Sequence, residues 1–150
     1  MSTEQPARTL AQAQQLVEAV MKLPGLPSAN GFNIVTVELG FVALAVAPQP
    51  NLLQFHGALH GGAIAALADQ AAGAAISTTL PSDQIAVTVE LKLNYLAPAK
   101  GERIVAEARA VPGGKSIGVA EIKVFAERGD QRNLAAIGLA TMRSVPFRLL

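Results

Sequence analysis

The spacing of hydrophobic positions changes along the chain, and each change predicts a new element. In residues 9–22 apolar side chains recur every three to four positions, which is typical of an amphipathic helix, and the segment LPGLP ends that pattern. FNIVTVEL and FVALAVAP then read as two strands joined through Gly40, followed by the loop-like QPNLLQFHGA. The run LHGGAIAALADQAAGAAI, residues 59–76, is apolar on nearly every side and predicts a buried helix.

Extended segments follow this helix, at roughly 84–96, 103–112, 116–128 and 132–145. In the clearest of them, VTVELKLNY, apolar residues from Val87 to Tyr95 alternate with polar ones, which predicts one buried face. The turns PAKGE, PGGKS and RGDQRN suit antiparallel hairpins. Only the helix at 59–76 is apolar enough to be wrapped by such a sheet. The pattern therefore predicts an α+β fold, with a curled antiparallel sheet of about six strands around a long central helix.

Length and composition predict one domain, with residues 1–30 as an N-terminal helix and lead-in and residues 31–150 as the main body. Of the 150 residues, 51% are hydrophobic and 15% charged, which suggests surface buried by self-association. A net charge of +1 lacks the basic excess that nucleic-acid binding needs, and the absence of cysteine excludes disulfides and thiolate metal sites. Asp69 argues against a membrane span, and the start of the chain lacks a signal-peptide core, so we expect a cytoplasmic protein.

Asp69 lies in the middle of the apolar helix, where an unpaired carboxylate would cost several kcal/mol. It could pair with a base such as Lys92 or Arg109, or line a cleft as nucleophile or general base. Gly61 and Gly62 fall where the helix begins. Unpaired N–H groups at a helix start can polarise a carbonyl. Close packing of the helix start against the sheet would also explain two glycines at these positions. An acid and an oxyanion hole on one helix together suggest acyl transfer.

Gly61 and Asp69 are too far apart for one subunit to apply both to the same carbonyl. They are eight residues apart, which is roughly 12 Å along a helix at about 1.5 Å per residue. Two antiparallel helices across a twofold axis would bring Gly61 of one subunit to Asp69 of another. This hypothesis requires a homodimer, and the apolar composition favours a homotetramer.

Gln54, His60, Gly61, Gly62 and Asp69 form the pattern Q-x-x-x-x-x-H-G-G-x-x-x-x-x-x-D. In this strand order, the pattern resembles the hotdog-fold acyl-CoA thioesterases, in particular the phenylacetate-pathway, 4-hydroxybenzoyl-CoA thioesterase-like type. The likeness runs from about residue 31 to 145 and makes residues 31–150 a hotdog thioesterase domain. It implies hydrolysis of an acyl-CoA to a free acid and CoA, with no metal and no cofactor other than the coenzyme A of the substrate.

The resemblance also implies roles for individual residues. The backbone N–H of Gly61 would polarise the thioester carbonyl, Asp69 of the partner subunit would attack it or activate water, and Gln54 would hydrogen-bond near the thioester. Thr88 matches a position where some relatives carry a hydroxyl that helps hold the attacking water. Because Thr88 alternates with the presumed core residue Val87, a bulge or an interface position is needed to reconcile the two.

A second set of residues is assigned to substrate binding, namely His60, Gly62, Asn94 and Lys115. By the resemblance, His60 mainly orders the loop before the helix, with general-base catalysis as its alternative. The phosphates of coenzyme A need cations, for which Lys100, Lys115 and Arg143 are candidates, although each would also suit a solvated hairpin.

Two other functions stay open at the level of sequence. A hydratase or dehydratase of the same fold would use His56 or His60 alongside Asp69. A non-catalytic acyl-CoA binding module is disfavoured, because the roughly 30 residues before the first strand are too few for a DNA-binding domain and binding alone needs no buried carboxylate. The acyl group, aryl or aliphatic, is not determined by the sequence.

Overall fold

The helices and strands follow the order predicted from the sequence, with one short helix added. The computed structural model describes residues 6–114 and 116–147. The helices are α1 (Leu10–Lys22), α2 (Leu26–Ala29) and α3 (Gly61–Ser77), and a 3-10 turn covers Pro50–Leu52. The strands are β1 (Asn33–Glu38), β2 (Phe41–Val46), β3 (Gln84–Tyr95), β4 (Arg103–Val111), β5 (Ile117–Arg128) and β6 (Gln131–Pro146).

The helix that was not predicted, α2, begins within the segment LPGLP that ends α1 and continues to Ala29. Its single turn carries a proline in its first two positions, where the missing N–H does no harm. LPGLP therefore interrupts the helix at Leu23 without forcing the next residues into an extended loop.

In the described ranges, six antiparallel strands form one sheet in the order β1-β2-β4-β5-β6-β3. The sheet curls around α3, which buries Leu67 and Ala71 against it. Val17 and Met21 of α1 belong to the same hydrophobic core, so the N-terminal helix packs with the sheet. The predicted α+β fold, with a six-stranded curled sheet, a long helix and a short N-terminal helix, is confirmed.

A β-bulge in β3 decides which of its side chains face α3. The register with β6 shifts between Thr88 and Glu90, so that Val89 is an extra residue. Before the bulge Thr88 faces the helix, and after it Leu91 does. Val87 is consequently 40% and Val89 59% exposed in the single chain, and the prediction that both belong to a buried face is wrong. The extra residue reverses the alternation that the sequence pattern assumed.

Arg8, which is 5% exposed, holds the far end of α3. Its guanidinium donates to the carbonyl oxygens of Ser77 at 2.7 Å and Leu80 at 3.2 Å, where the helix ends. It also donates to those of Ser82 at 3.0 Å and Gln84 at 2.7 Å, where β3 begins. A cation at the C-terminus of a helix opposes the negative end of its dipole. Arg8 therefore fixes α3 and β3 relative to each other.

We expect Gly138→Ala to destabilise the protein by roughly 1–3 kcal/mol or more, because the strands have no room for the added methyl group. A Cβ at Gly138 would overlap the carbonyl oxygen of Lys92 and lie 2.5 Å from Cδ2 of Leu93. The matched control is Gly113→Ala, whose Cβ would have no described atom nearer than 3.8 Å and whose effect should stay within about 0.5 kcal/mol. Urea unfolding at equal protein concentration measures both. Equal midpoints for the two variants would contradict this account of the β3–β6 contact.

Candidate active site

The start of α3 presents one backbone N–H that has no acceptor. His60 is the N-cap residue, and its Nδ1 accepts a hydrogen bond of 2.9 Å from the N–H of Gly62. The carbonyl oxygen of His60 accepts from Ala63 at 2.9 Å and Ile64 at 3.0 Å. Of the first four backbone N–H groups of α3, only that of Gly61 donates to no group in the part of the chain that the structure describes. It lies at the positive end of the helix dipole, free to bind an oxygen atom.

Tyr95 braces the same turn of helix. Its hydroxyl donates a hydrogen bond of 2.8 Å to the carbonyl oxygen of Gly61. Its ring is so close that a Cβ at Gly61 would lie 3.4 Å from it, at the limit of ordinary contact. The glycine thus lets the aromatic ring approach the helix start. The sequence pattern shows Tyr95 only as the last residue of the alternation along β3, because its contact with the helix start depends on the bulge in β3 and on the curl of the sheet.

Asp69 is half-buried and is held by Thr88. The Thr88 hydroxyl donates a hydrogen bond of 2.8 Å to Oδ1 of Asp69. The bulge reconciles this contact with the alternation along β3, as the sequence analysis required. Lys92 and Arg109, the basic residues considered as partners of Asp69, lie on the outer face of the sheet. Lys92 is in register with Leu139. The guanidinium of Arg109 lies 4.7 Å from the centre of the Phe41 ring. Among the described residues, neither forms an ion pair with Asp69.

The predicted residues on α3 and β3 therefore form two groups within one subunit. His60, Gly61 and Gly62 make the helix start, and Asp69 with Thr88 makes an acidic site farther along. Since Gly61 and Asp69 both lie on α3, their eight-residue separation keeps them roughly 12 Å apart along the helix axis. One subunit cannot apply both to one carbonyl.

Gln54 lies in the short loop that leads to α3. Its backbone N–H donates to the carbonyl oxygen of Ala58 at 2.9 Å, and its own carbonyl oxygen accepts from Gly57 at 2.9 Å. Leu53 and Leu59 pair across the same loop, which thus returns to the start of the helix. Within the described ranges the half-buried side-chain amide of Gln54 forms no hydrogen bond and can bind a ligand.

The other residues assigned to substrate binding are not brought into these groups. Asn94 is exposed on the outer face of β3, in register with Ile137, because Leu93 occupies the face toward the core. Lys115 lies outside the described residues. Lys100 and Arg143 are exposed. Their roles toward coenzyme A stay predictions.

A cavity of about 190 Å³ opens beside Asp69 and Thr88, between α1, α3 and β3. A larger, open depression of about 820 Å³ lies at the other end of α3, near Ile76 and Ile117. The larger space contains none of the predicted site residues that the structure describes. The smaller one is therefore the cavity relevant to the chemistry of the carboxylate.

Comparison with known proteins identifies the family. The model of the thioesterase superfamily matches residues 56–132, which include the helix start, Asp69 and Thr88. This chain belongs to the thioesterase superfamily. The predicted family and the prediction of a thioester hydrolase are both confirmed.

Individual relatives of this thioesterase agree in activity and fold. It is 34% identical to 1,4-dihydroxy-2-naphthoyl-CoA hydrolase of Listeria monocytogenes over 69% of this chain and 84% of that protein. It is 31% identical to a medium/long-chain acyl-CoA thioesterase of Escherichia coli over 66% of this chain and 74% of that protein. A thioesterase family protein from Silicibacter pomeroyi has a crystal structure with a TM-score of 0.86 and 30% identity, covering 90% of this chain and 99% of that one.

One further property concerns membranes. Through residues 6–114 and 116–147, the thioesterase has no helix that combines the length and the hydropathy needed to cross a bilayer.

We expect Thr88→Val to lower turnover about ten- to hundredfold, because Asp69 would lose a hydrogen bond to a charged group worth about 1.5–3 kcal/mol. Valine keeps the shape of threonine without its hydroxyl. Thr88→Ser keeps the hydroxyl and is the matched control, expected to retain most activity. Release of free thiol from an acyl-CoA measures both variants. Wild-type turnover in Thr88→Val would mean that this contact does not serve catalysis.

Proposed function

We propose that the protein hydrolyses an acyl-CoA thioester to a free acid and CoA in a site shared by two subunits. Asp69 acts as nucleophile or general base, and the N–H of Gly61 from the other subunit polarises the carbonyl. The observation that carries this proposal is the arrangement on α3, with a free N–H at its start and an anchored carboxylate roughly 12 Å later. The names of the Listeria and E. coli relatives, both of which specify a CoA thioester, support the substrate class.

The chemistry follows from what each group stabilises. As the thioester carbonyl is attacked, negative charge develops on its oxygen, and the Gly61 N–H at the positive end of the helix stabilises that charge by donating a hydrogen bond to the oxygen. Asp69 either attacks the carbonyl carbon, giving an anhydride that water then opens, or takes a proton from an attacking water. In both routes the C–S bond breaks, the thiolate of CoA leaves and is protonated, and one water is consumed. The reaction as proposed requires no metal and no redox cofactor.

The exposed edge of β3 supports the assembly. Among the described strands β3 has β6 as its one neighbour, so a row of its backbone N–H and C=O groups is unpaired. Pairing of two β3 strands about a twofold axis would satisfy these groups and give the exposed Val87 and Val89 cross-strand neighbours. It would also set the two α3 helices antiparallel. We propose this homodimer as the smallest active unit, and a homotetramer through the exposed outer-face residues Ile137 and Leu139.

The neighbouring polar residues have supporting roles in this proposal. Gln54, with its unbonded amide close to the helix start, would hydrogen-bond the thioester. His60 caps the helix through Nδ1, and this structural function leaves little support for a hydratase that uses it as the catalytic base. His56 lies at the exposed tip of the preceding loop, with its ring centroid 3.8 Å from that of Phe55. Hydrolysis is therefore the activity that the site supports best.

We expect Asp69→Asn to reduce kcat/KM by about 10²–10⁴-fold, the range typical of a lost general base. Asparagine keeps the size of the side chain and an oxygen that can accept from Thr88, so the fold should be retained. Glu90→Gln is the matched control, because Glu90 is an exposed carboxylate on β3, two residues after Thr88. Thiol release with a panel of acyl-CoAs is the assay, and circular dichroism checks the fold. A folded, fully active Asp69→Asn protein would refute this role.

A complementation experiment tests whether the site is shared between subunits. Gly61→Pro removes the free N–H, and the helix tolerates proline here because His60, at φ −61° and ψ 140°, has the backbone that a residue before proline needs. We expect a loss on the order of a hundredfold or more. Gly61→Ala keeps the N–H, adds the same contact with Tyr95, and should lose far less.

Co-expression of Gly61→Pro and Asp69→Asn subunits should then restore activity that neither protein has alone. In a mixed dimer one site combines an intact Gly61 with an intact Asp69. With random pairing, half of the dimers are mixed and half of their sites work, so about a quarter of the wild-type rate is expected. No recovery in a purified mixed dimer would show that each site is built within a single subunit.

A further inference from the structure

The proposed hydrolysis does not by itself assign a role to the cavity beside Asp69 and Thr88. Asp69 and Thr88 lie at one end of it, and Ser77 lies at the other. The buried Ser77 hydroxyl accepts a hydrogen bond of 3.0 Å from the N–H of Ala86, which ties α3 to β3 at that end. The lining of the space therefore runs from the carboxylate to Ser77 within the same subunit.

Small residues on α3 face larger ones on α1 across this space. Gly73 and Ala74 line it from α3, and Leu16 and Val20 line it from α1. Leu16 and Val20 are one helical turn apart, so their side chains share one face of α1. Both remain half-buried, whereas Met21, on another face of the same helix, is buried in the core. The space thus exists because α3 offers little side chain where α1 crosses it.

The volume of the space within one subunit gives a scale for what it can hold. A protein cavity of about 150 Å³ lined by aliphatic and aromatic residues accommodates one benzene molecule, which has six carbon atoms. On that scale, a cavity of about 190 Å³ holds roughly seven or eight carbon atoms. A single aromatic ring or a short to medium chain fits within it, whereas a long fatty acyl chain such as dodecanoyl would extend beyond it.

We propose that this space is the acyl cavity, in which α1 determines the length of the acyl group. The inference rests on the proposed function, which places the thioester carbonyl at Asp69. The acyl group then extends from that carbonyl between α1 and α3 toward Ser77, and coenzyme A extends the other way. The preferred substrates are CoA thioesters of compact acids, with one ring or up to about eight carbons. Val20 and Leu16 are specificity-determining residues.

Two substitutions at one position test the cavity in both directions. Val20→Phe fills it and should lower kcat/KM for benzoyl-CoA and octanoyl-CoA about tenfold or more, while butanoyl-CoA changes about twofold at most. Val20→Ala enlarges it and should raise the ratio of dodecanoyl-CoA to butanoyl-CoA hydrolysis severalfold. Met21→Leu is the control, because it changes a neighbouring α1 residue that does not line the cavity and nearly keeps the volume of this core side chain. In the wild type, kcat/KM should fall at least about tenfold from octanoyl-CoA to dodecanoyl-CoA.

The outcomes separate this inference from the proposed function. If hydrolysis of butanoyl-CoA depends on Asp69 but Val20→Phe and Val20→Ala keep the wild-type acyl preference, the acyl cavity is wrong and the proposed function stands. A wild type that prefers dodecanoyl-CoA overturns it as well. If no acyl-CoA is hydrolysed, the proposed function fails and this inference falls with it. Should Val20→Phe not fold, the ratio measured for Val20→Ala decides.

Discussion

The hydrogen bond from Thr88 to Asp69 joins the two elements on which the candidate site is built. A helix wrapped by a sheet must be apolar on most of its surface, and α3 meets that demand with alanine, leucine and isoleucine. A carboxylate on such a helix is tolerated only where it keeps contact with water or with a donor. Asp69 has both, since it is half-buried at the mouth of a cavity and accepts from a hydroxyl on the adjacent strand.

That contact depends on the bulge in β3. Without an extra residue, one alternation would run through the whole strand, and Thr88 could not share a face with Leu91 and Leu93. The bulge at Val89 allows β3 to present a hydroxyl to α3 in its first half and apolar side chains in its second. Within one subunit β3 is an edge strand, so the bulge disrupts only the ladder with β6.

Contacts at both ends hold α3 in place over β3. At the start, the Tyr95 hydroxyl binds the carbonyl oxygen of Gly61, and at the end Arg8 binds carbonyl oxygens of both elements. Burial lowers the pKa of Arg8, and the charge of Asp83 partly offsets that effect. The helix start with its free N–H and the carboxylate therefore have fixed positions on one rigid element, as preorganised electrostatic catalysis requires.

The sequence by itself determined the order of elements, the apolar central helix, the two glycines at its start and the isolated acid, because hydrophobic period and turn residues are local properties. The family resemblance added predicted roles for Gln54, Gly61 and Asp69. Only the tertiary structure decided which side chains of β3 face the helix. The bulge depends on the register with β6, a strand about fifty residues away in sequence. The tertiary structure likewise decided the contact of Tyr95 with Gly61 and the cavity between α1 and α3. In both, the curl of the sheet brings together residues that are distant in sequence.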